Sequence, residues 1–189
     1  MLRSLLLCLS VLLSPAVMAQ ETTQPNPQVV IRTSEGDITL RLFRDKSPVT
    51  VDNFLNYADS GFYNGTIFHR VISNFMIQGG GFTPDMVQKA TGEAIVNESK
   101  NRLHNTRGTI AMARTNDPDS ATAQFFINQR SNLKLDWAPG REGYTVFGEV
   151  ILGMDIVDFI ASAPTGKAGQ FSDVPLETFT IKEIVRYEP

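Results

Sequence analysis

One arginine interrupts an apolar run in the segment Phe68-His69-Arg70-Val71-Ile72-Ser73-Asn74-Phe75-Met76-Ile77-Gln78-Gly79-Gly80-Gly81. Phe75, Met76 and Gln78 follow Arg70 closely. A charged side chain on a mostly buried strand needs an acceptor or water, because an unpaired buried charge is costly. Arg70 is therefore either a structural ion-pair partner, which is the commoner role on a strand, or a cation held ready for an acceptor that arrives with a ligand.

The first nineteen residues have the pattern of an export signal. Arg3 gives a positive start, residues 5–13 are apolar apart from Ser10, and Val17-Met18-Ala19 precedes the expected cleavage before Gln20. The apolar run is shorter than the roughly 20 residues that span a bilayer, so a retained anchor is the weaker alternative. We expect residues 1–19 to be a cleaved signal peptide and the protein to be exported.

The remaining chain has the size of one domain. Removing 19 of the 189 residues leaves 170, enough for a single core. Pro25 and Pro27 mark residues 20–27 as a flexible leader, which puts the domain at 28–189. Cys8 is the only cysteine and leaves with the signal, so the core rather than disulfides must stabilise the domain. The net charge changes from −3 to −4, which argues against nucleic-acid binding, and no other apolar run is long enough for a membrane span.

Short apolar runs separated by Gly, Asn, Asp and Pro clusters predict a mainly β domain. The clearest run is Asp37-Ile38-Thr39-Leu40-Arg41-Leu42, in which apolar and polar residues alternate strictly. The predicted strands cover residues 29–33, 37–42, 68–72, 75–78, 109–113, 124–128, 145–150 and 178–187.

Two helices are predicted among these strands. Pro48 suits the first turn of one helix and Gly61 its end. Between them, apolar residues repeat at the spacing of one buried helical face: Val51, Phe54, Leu55 and Ala58. The second helix is expected at 154–161, before Pro164. The pattern is consistent with a closed antiparallel barrel capped at its ends, although the pattern alone does not separate a barrel from a sandwich.

Two downstream motifs complete a resemblance to a known family. They are Ala111-Met112-Ala113-Arg114 and Gln124-Phe125-Phe126-Ile127-Asn128. Together with the Arg70 segment they resemble the active face of a cyclophilin-type peptidyl-prolyl cis–trans isomerase, and the resemblance extends from about residue 28 to 187. It implies a closed eight-stranded antiparallel barrel capped by two α-helices, one over each mouth. Residues 97–99 and 105–114 resemble the bacterial periplasmic branch, which implies a periplasmic protein.

The reaction that this family catalyses makes simple demands on a site. Turning an X-Pro bond breaks no bond and moves no proton, and its barrier of about 18–20 kcal/mol comes from amide resonance. A catalyst must favour the twisted amide, whose nitrogen has regained lone-pair character. A fixed guanidinium can donate to that nitrogen while an apolar slot holds the pyrrolidine ring.

The resemblance assigns the catalytic roles to three residues. Arg70 would be the electrostatic catalyst, and Gln78 would orient Arg70 and contact the substrate backbone. Phe75 would act with them as part of the wall of the proline slot. The other walls implied by the resemblance are Met76, Phe126 and Leu135, with Phe125 of the adjacent pair pointing into the core.

The remaining implied substrate contacts surround this slot. Ala113 and Arg114 would meet the peptide through their main chain, and Gln124 through its amide. Tyr144 stands at the rim, where many family members have a histidine. His69 is included as a supporting residue, on the side opposite to Arg70 if the strand is regular.

The resemblance also bears on partners. Unfolded or flexible proline-containing polypeptides are the expected substrates of a protein that acts as a monomer. Lys134 stands where drug-sensitive eukaryotic members have the tryptophan that packs on cyclosporin, so weak or no cyclosporin binding is expected.

Other functions have less support in the sequence. The mature chain has two histidines and no cysteine, so we expect no structural zinc site and no cofactor. Gly79-Gly80-Gly81 lacks the Gly-Lys-Ser/Thr of a phosphate-binding loop and is interpreted as a turn. No Ser/His/Asp order points to a hydrolase. The main alternative is a proline-peptide binding module or holdase chaperone with incidental turnover.

Overall fold

Eight strands close into one antiparallel barrel in this computed structural model, which describes residues 26–187. The predicted signal peptide at 1–19 and most of the predicted leader at 20–27 lie outside the described residues. The barrel strands are β1 Gln28–Thr33, β2 Asp37–Leu42, β3 Thr66–Ile72, β4 Met76–Gly79, β5 Thr109–Met112, β6 Phe125–Asn128, β7 Val146–Leu152 and β10 Thr180–Arg186.

Around the barrel the strands follow the order β1-β10-β3-β4-β6-β5-β7-β2, and β2 pairs back to β1. Every neighbouring pair is antiparallel. The predicted eight-stranded barrel is therefore confirmed. The bounds of every predicted strand lie within two residues of the observed ones, which shows how well short alternating runs mark barrel strands.

Strand β2 shows why these sequences form a barrel wall. Ile38, Leu40 and Leu42 are fully buried in the barrel core, whereas the side chain of Arg41 is half exposed and pairs with Glu149 on β7. Alternation along the strand thus sends one set of side chains inward and leaves the other on the outer surface.

The two helices lie at opposite ends of β2 and contribute to the same core. Helix α1, Pro48–Asp59, follows the end of β2 and buries the predicted face that includes Phe54. Helix α2, Met154–Ala161, begins after Gly153, which lies beside Asp37 at the start of β2. A Cβ atom at Gly153 would come within 2.3 Å of the Asp37 carbonyl oxygen, so only glycine fits there. In the part of the chain that the structure describes, no helix has the length and apolar character of a membrane span.

A β-bulge in β3 determines which way Arg70 points. The pairing register between β3 and β4 shifts between Phe68 and Arg70, so His69 is an extra residue in the strand. Phe68 and Val71 both pack in the barrel core, whereas Arg70 lies on the outer face. In a regular strand Phe68 and Arg70 would share a side. The assumption of a regular strand at His69 is therefore wrong, and the bulge is what turns Arg70 outward.

One hairpin of the structure is absent from the sequence-based prediction. Strands β8, Thr165–Ala168, and β9, Phe171–Pro175, pair with each other outside the barrel. No residue in either strand is fully buried, and neither strand contains the apolar run that marks the barrel strands. The hairpin packs against β3, and the Phe171 ring lies 5.2 Å from the Phe82 ring between ring centroids. Tertiary contact rather than local pattern places this hairpin.

Candidate active site

A pocket of about 120 Å³ opens on the outer face of the barrel wall that β3, β4, β6 and β5 form. It combines one guanidinium with apolar side chains and main chain. Nine residues line it: Arg70, Phe75, Met76, Gln78, Ala113, Arg114, Phe126, Leu135 and Tyr144. All nine belong to the site set expected from the sequence, and the structure brings them together from five separate segments of the chain.

The strand register explains why residues so distant in sequence meet here. Arg70 pairs with Gln78 across β3 and β4, Gln78 pairs with Phe126 across β4 and β6, and Phe126 pairs with Ala111 across β6 and β5. These four residues form one row across four strands, and Ala111 packs in the apolar cluster on which the pocket is built. Cross-strand neighbours on one face lie within contact distance of each other. The row therefore places the guanidinium, the amide and the aromatic ring side by side.

The adjacent phenylalanines of β6 divide between the two faces of the barrel, as expected. Phe125 is buried in the barrel core, where its ring meets the Phe54 ring edge-on at 5.7 Å. Phe126 is buried in a second apolar cluster outside the barrel, together with Met76 and Val146. This second cluster is the floor of the pocket, so the pocket is a packed surface feature and not an opening into the barrel.

Arg70 is half exposed, and its partner is a residue that the sequence did not indicate. Its Nε atom lies 3.6 Å from Oδ2 of Asp173 on the β8–β9 hairpin. Arg70 thus has both properties that the sequence left as alternatives, an ion pair and a place in the pocket wall. Because Asp173 lies in the one hairpin that was not predicted, no signal in the sequence pointed to it.

Gln78 forms its side-chain hydrogen bond with Gln124. Its Nε2 donates a hydrogen bond to Oε1 of Gln124 at 3.1 Å, and no hydrogen bond to Arg70 is present among residues 26–187. Gln78 nevertheless lies beside Arg70 in the strand register, and its role in orienting Arg70 stays a prediction. Gly81 makes room for this amide pair, since a Cβ atom at that position would lie 2.4 Å from Cγ of Gln124. Of the glycine run interpreted as a turn, Gly79 is the last residue of β4, and the chain bends away from the strand only at Gly80 and Gly81.

The rim of the pocket is held by the side chain of Arg114, for which only main-chain contacts were expected. Its guanidinium carbon lies 4.5 Å from the centroid of the Tyr144 ring. Its nitrogens donate hydrogen bonds to the carbonyl oxygens of Thr115, Glu142 and Gly143. The Tyr144 ring in turn meets the Phe126 ring edge-on at 5.6 Å. Arg114 therefore fixes the aromatic rim through a stacked cation and three carbonyl contacts.

A buried network of amide side chains supports the opposite wall, and sequence reasoning assigned it no role. Asn128 donates to Oδ1 of Asn105, and Asn132 donates both to Oδ1 of Asn128 and to the Phe75 carbonyl oxygen at 2.9 Å. Asn105 donates from its main chain and side chain to Oδ1 of Asp136. The network thereby fixes Phe75 and the short 3₁₀ turn Leu133–Leu135 that carries the Leu135 wall. Asn128, an amide inside an apolar strand, was the available sequence signal.

Asp136 is the acidic end of this network. Burial opposes its ionisation, but hydrogen bonds from Asn105 and from His104 outweigh burial and lower the pKa of Asp136 below its ordinary value. An ionised Asp136 accepts all of these hydrogen bonds at once, which rigidifies the segment behind Leu135.

The pocket is the middle of a longer groove. On one side it shares Gln78, Ala113 and Arg114 with a pocket of about 230 Å³, which the predicted site residue Gln124 lines together with Gln88, Thr115, Ser120 and Thr122. On the other side it shares Phe75 and Leu135 with a pocket of about 590 Å³ lined by Asn74, Arg130, Ser131, Asn132, Leu133 and Lys134. A groove with pockets on both sides of a small apolar slot suits an extended chain.

His69 lies outside this groove. Its ring is buried and packs on Phe82 with 4.5 Å between ring centroids, and its Nδ1 has no hydrogen-bond partner in the described part of the chain. The placement of His69 in the substrate-binding set is not supported by this geometry. Burial lowers the pKa of His69 to about 4, and the neighbouring Arg70 charge acts in the same direction. Within residues 26–187, no three His, Cys, Asp or Glu side chains are grouped as metal ligands would be.

Comparisons with known proteins agree with the barrel and its pocket. A family model described as cyclophilin type peptidyl-prolyl cis-trans isomerase/CLD matches residues 28–186. Peptidyl-prolyl cis-trans isomerase B of Escherichia coli K12 is 56% identical over 160 residues, which cover 82% of this chain and 97% of that protein. Peptidyl-prolyl cis-trans isomerase A of Dickeya dadantii is 50% identical over 169 residues, covering 89% and 87%.

A solved structure shows the same architecture. The crystal structure of a cyclophilin type isomerase from Cryptosporidium parvum matches with a TM-score of 0.76 and 31% identity, covering 87% of this chain and 99% of that one. A second structure of that protein, in the presence of the dipeptide Ala-Pro, matches with a TM-score of 0.75. This chain belongs to the cyclophilin family, and it is a peptidyl-prolyl cis–trans isomerase.

The buried His69 predicts a loss of stability in acid. The unfolded chain binds a proton at this position near the ordinary pKa of 6.5, whereas the folded chain binds it only near 4. Below pH 6.5 the unfolded state therefore binds more protons, and the free energy of unfolding falls as the pH falls, by roughly 3 kcal/mol once the pH is below 4. Urea unfolding of wild type and of His69→Phe at pH 7 and pH 4 measures this contribution.

We expect His69→Phe to lose less stability than wild type between the two pH values. His104→Gln serves as the control for removing a histidine: His104 is exposed, so the variant should keep the acid loss due to His69, and any further change reports its hydrogen bond to Asp136. Equal acid losses in wild type and in His69→Phe would contradict the assignment.

Proposed function

We propose that Arg70 accelerates rotation of X-Pro bonds by stabilising the twisted amide, and that this activity serves the folding of exported proteins. The observation that carries the catalytic part is the position of Arg70 in the wall of an apolar pocket of proline size. Phe75, Met76 and Phe126 hold the pyrrolidine ring in this mechanism. The guanidinium then donates a hydrogen bond to the proline nitrogen. This nitrogen is a good acceptor only when the X-Pro bond is twisted.

This mechanism works by differential binding. The planar imide nitrogen shares its lone pair with the carbonyl and is a poor acceptor, whereas the twisted nitrogen is a good one. A donor already in place therefore contributes more to the transition state than to either ground state. No bond breaks and no proton transfers, so the step itself calls for neither a general base nor a metal ion.

The groove supports extended, proline-containing chains as the substrates. Pockets lie on both sides of the apolar slot, so the residues on either side of a proline can be gripped while the ring stays fixed. The pair of Gln78 and Gln124 offers amide groups to the main chain of such a substrate. The Cryptosporidium relative was crystallised in the presence of Ala-Pro, which is consistent with a proline-containing ligand.

The alternative function is a binding module or holdase chaperone that grips proline without a catalytic need to turn it. Apolar walls alone would suffice for that function. The presence of Arg70 at the edge of the slot favours the isomerase, because a guanidinium adds little to the binding of an apolar ring.

Arg70→Ala tests the mechanism. We expect kcat/KM for a proline peptide to fall about 100-fold or more, since removing one preorganised donor costs roughly 3 kcal/mol in the transition state. A protease-coupled peptide assay measures the rate, and circular dichroism checks that the fold persists. Arg32→Ala is the matched control, because Arg32 is also a half-exposed strand arginine paired with a carboxylate, and its loss should leave turnover unchanged.

A mutant Arg70→Ala that retained wild-type turnover would refute the catalytic role. If it lost turnover but still bound proline peptides and suppressed aggregation of an unfolded protein, binding and catalysis would be separable. The requirement of the cell for each could then be measured.

Lys134 predicts weak cyclosporin binding. It is exposed in the pocket next to Phe75 and Leu135, at the position where drug-sensitive members of the family have tryptophan. We expect Lys134→Trp to tighten cyclosporin binding at least tenfold, because an aromatic ring adds buried apolar area at this position. Titration calorimetry on both proteins measures the change, and equal affinities would refute the prediction.

Export to the periplasm is proposed from the pattern of residues 1–19. We expect the protein purified from the periplasmic fraction of a bacterial host to begin at Gln20. Intact-mass spectrometry reads the amino terminus directly. A full-length chain that stayed in the cytoplasmic fraction would contradict this proposal.

A further inference from the structure

Asp173 occupies the place where a partner for the proposed catalytic cation is needed. A preorganised donor must be held in one orientation before the substrate binds. Gln78, which the family resemblance implies would orient Arg70, donates its side-chain hydrogen bond to Gln124 and, in the described part of the chain, none to Arg70. Among residues 26–187, the Arg70 guanidinium forms an ion pair with Asp173.

The geometry of this ion pair leaves most of the guanidinium available. Oδ2 of Asp173 lies 3.6 Å from Nε of Arg70, beyond a direct hydrogen bond but within the distance of an ion pair, which solvent partly screens because both side chains are partly exposed. An arginine has five N–H donors, and Nε carries only one of them. A carboxylate on the Nε side therefore biases the orientation of the group and leaves the two Nη amino groups for a substrate.

The hairpin that carries Asp173 is built to deliver a carboxylate to this position. Asp173 has φ of +61°, a left-handed conformation that aspartate and asparagine adopt more readily than most residues. The hairpin packs on β3, the strand of Arg70, and Phe171 anchors it against Phe82. Ser172 donates a hydrogen bond to Oδ2 of Asp173 at 3.4 Å. Backbone conformation and anchoring together keep the carboxylate beside Arg70.

We propose that Asp173 is a positioning residue that holds the Arg70 guanidinium toward the proline pocket. This inference rests on the proposed function, because Asp173 acts only through Arg70 and does not itself line the pocket. The β8–β9 hairpin is thereby part of the active site, although it lies outside the barrel.

Asp173→Asn is the variant of choice, since asparagine keeps the size and the left-handed conformation of aspartate and removes only the charge. We expect kcat/KM to fall roughly two- to fivefold, the range that corresponds to the coupling of a partly exposed ion pair. The fall should lie in kcat rather than in KM, because the apolar walls are unchanged. Asp173→Glu should recover part of the rate.

A matched control shows whether the fall in kcat is specific to Asp173 or follows from the loss of any exposed ion pair. Asp59→Asn removes a carboxylate from the exposed pair with Arg186, which is not part of the groove. It should leave kcat unchanged, and thermal unfolding should show similar small changes for both variants.

A double-mutant cycle tests whether Asp173 acts through Arg70. In the Arg70→Ala background, Asp173→Asn should not lower the residual rate further. Added salt should lower wild-type kcat toward that of Asp173→Asn and affect the variant less, because salt screens an exposed pair. The Arg70 Nε–H resonance in ¹⁵N NMR, assigned by its loss in Arg70→Ala, should shift and broaden in Asp173→Asn.

Three results would overturn the inference: wild-type kcat in Asp173→Asn, a higher kcat that would show competition with substrate for Arg70, or an equal loss in the Arg70→Ala background. Any of these in an active wild-type enzyme leaves the proposed function standing. An Arg70→Ala variant with wild-type turnover would refute both the catalytic role and the positioning role.

Discussion

A single extra residue in β3 allows some side chains of this strand to point into the barrel core while Arg70 points outward, and the active site depends on this arrangement. The bulge between Phe68 and Arg70 lets Phe68 and Val71 both fill the barrel while Arg70 lies on the outer wall. A guanidinium pointed into that core would have no solvent, and burying it unpaired would be prohibitively unfavourable. The bulge thus resolves a conflict between packing the barrel and presenting a cation to a substrate.

The site is rigid because two kinds of support meet around one small apolar pocket. The strand register brings Gln78 and Phe126 next to Arg70, so the barrel itself positions the centre of the site. The parts on loops need other support: Arg114 braces the Tyr144 rim, and the asparagine network holds the wall at Leu135. Both supports consist of buried or stacked polar groups whose hydrogen bonds are satisfied, and such networks specify one arrangement of a loop.

The sequence-based predictions were accurate for features that arise from a local burial pattern and failed for features that arise from tertiary contacts. The alternation in Asp37–Leu42 and the helical face of α1 are local signals of burial, and both predicted elements were confirmed. The β8–β9 hairpin has no such signal, since contact with β3 rather than burial of its own side chains stabilises it. Asp173 was not predicted as a site residue because it lies in this hairpin. The hydrogen bond between Gln78 and Gln124 could not be predicted, because side-chain pairing depends on rotamers that neighbouring residues decide.

The amino-acid sequence determined the positions of the barrel strands and of the two helices along the chain, the residues that form the core, and, through motif resemblance, the family and the members of the pocket. Local periodicity and residue type determine these features, and both are visible in the sequence. Only the tertiary structure decided that His69 is buried away from the groove, that Arg114 acts through its side chain, and that Asp173 faces Arg70. Each of those facts depends on a contact between segments far apart in the chain, or on one residue of register in a strand, and neither leaves a local pattern.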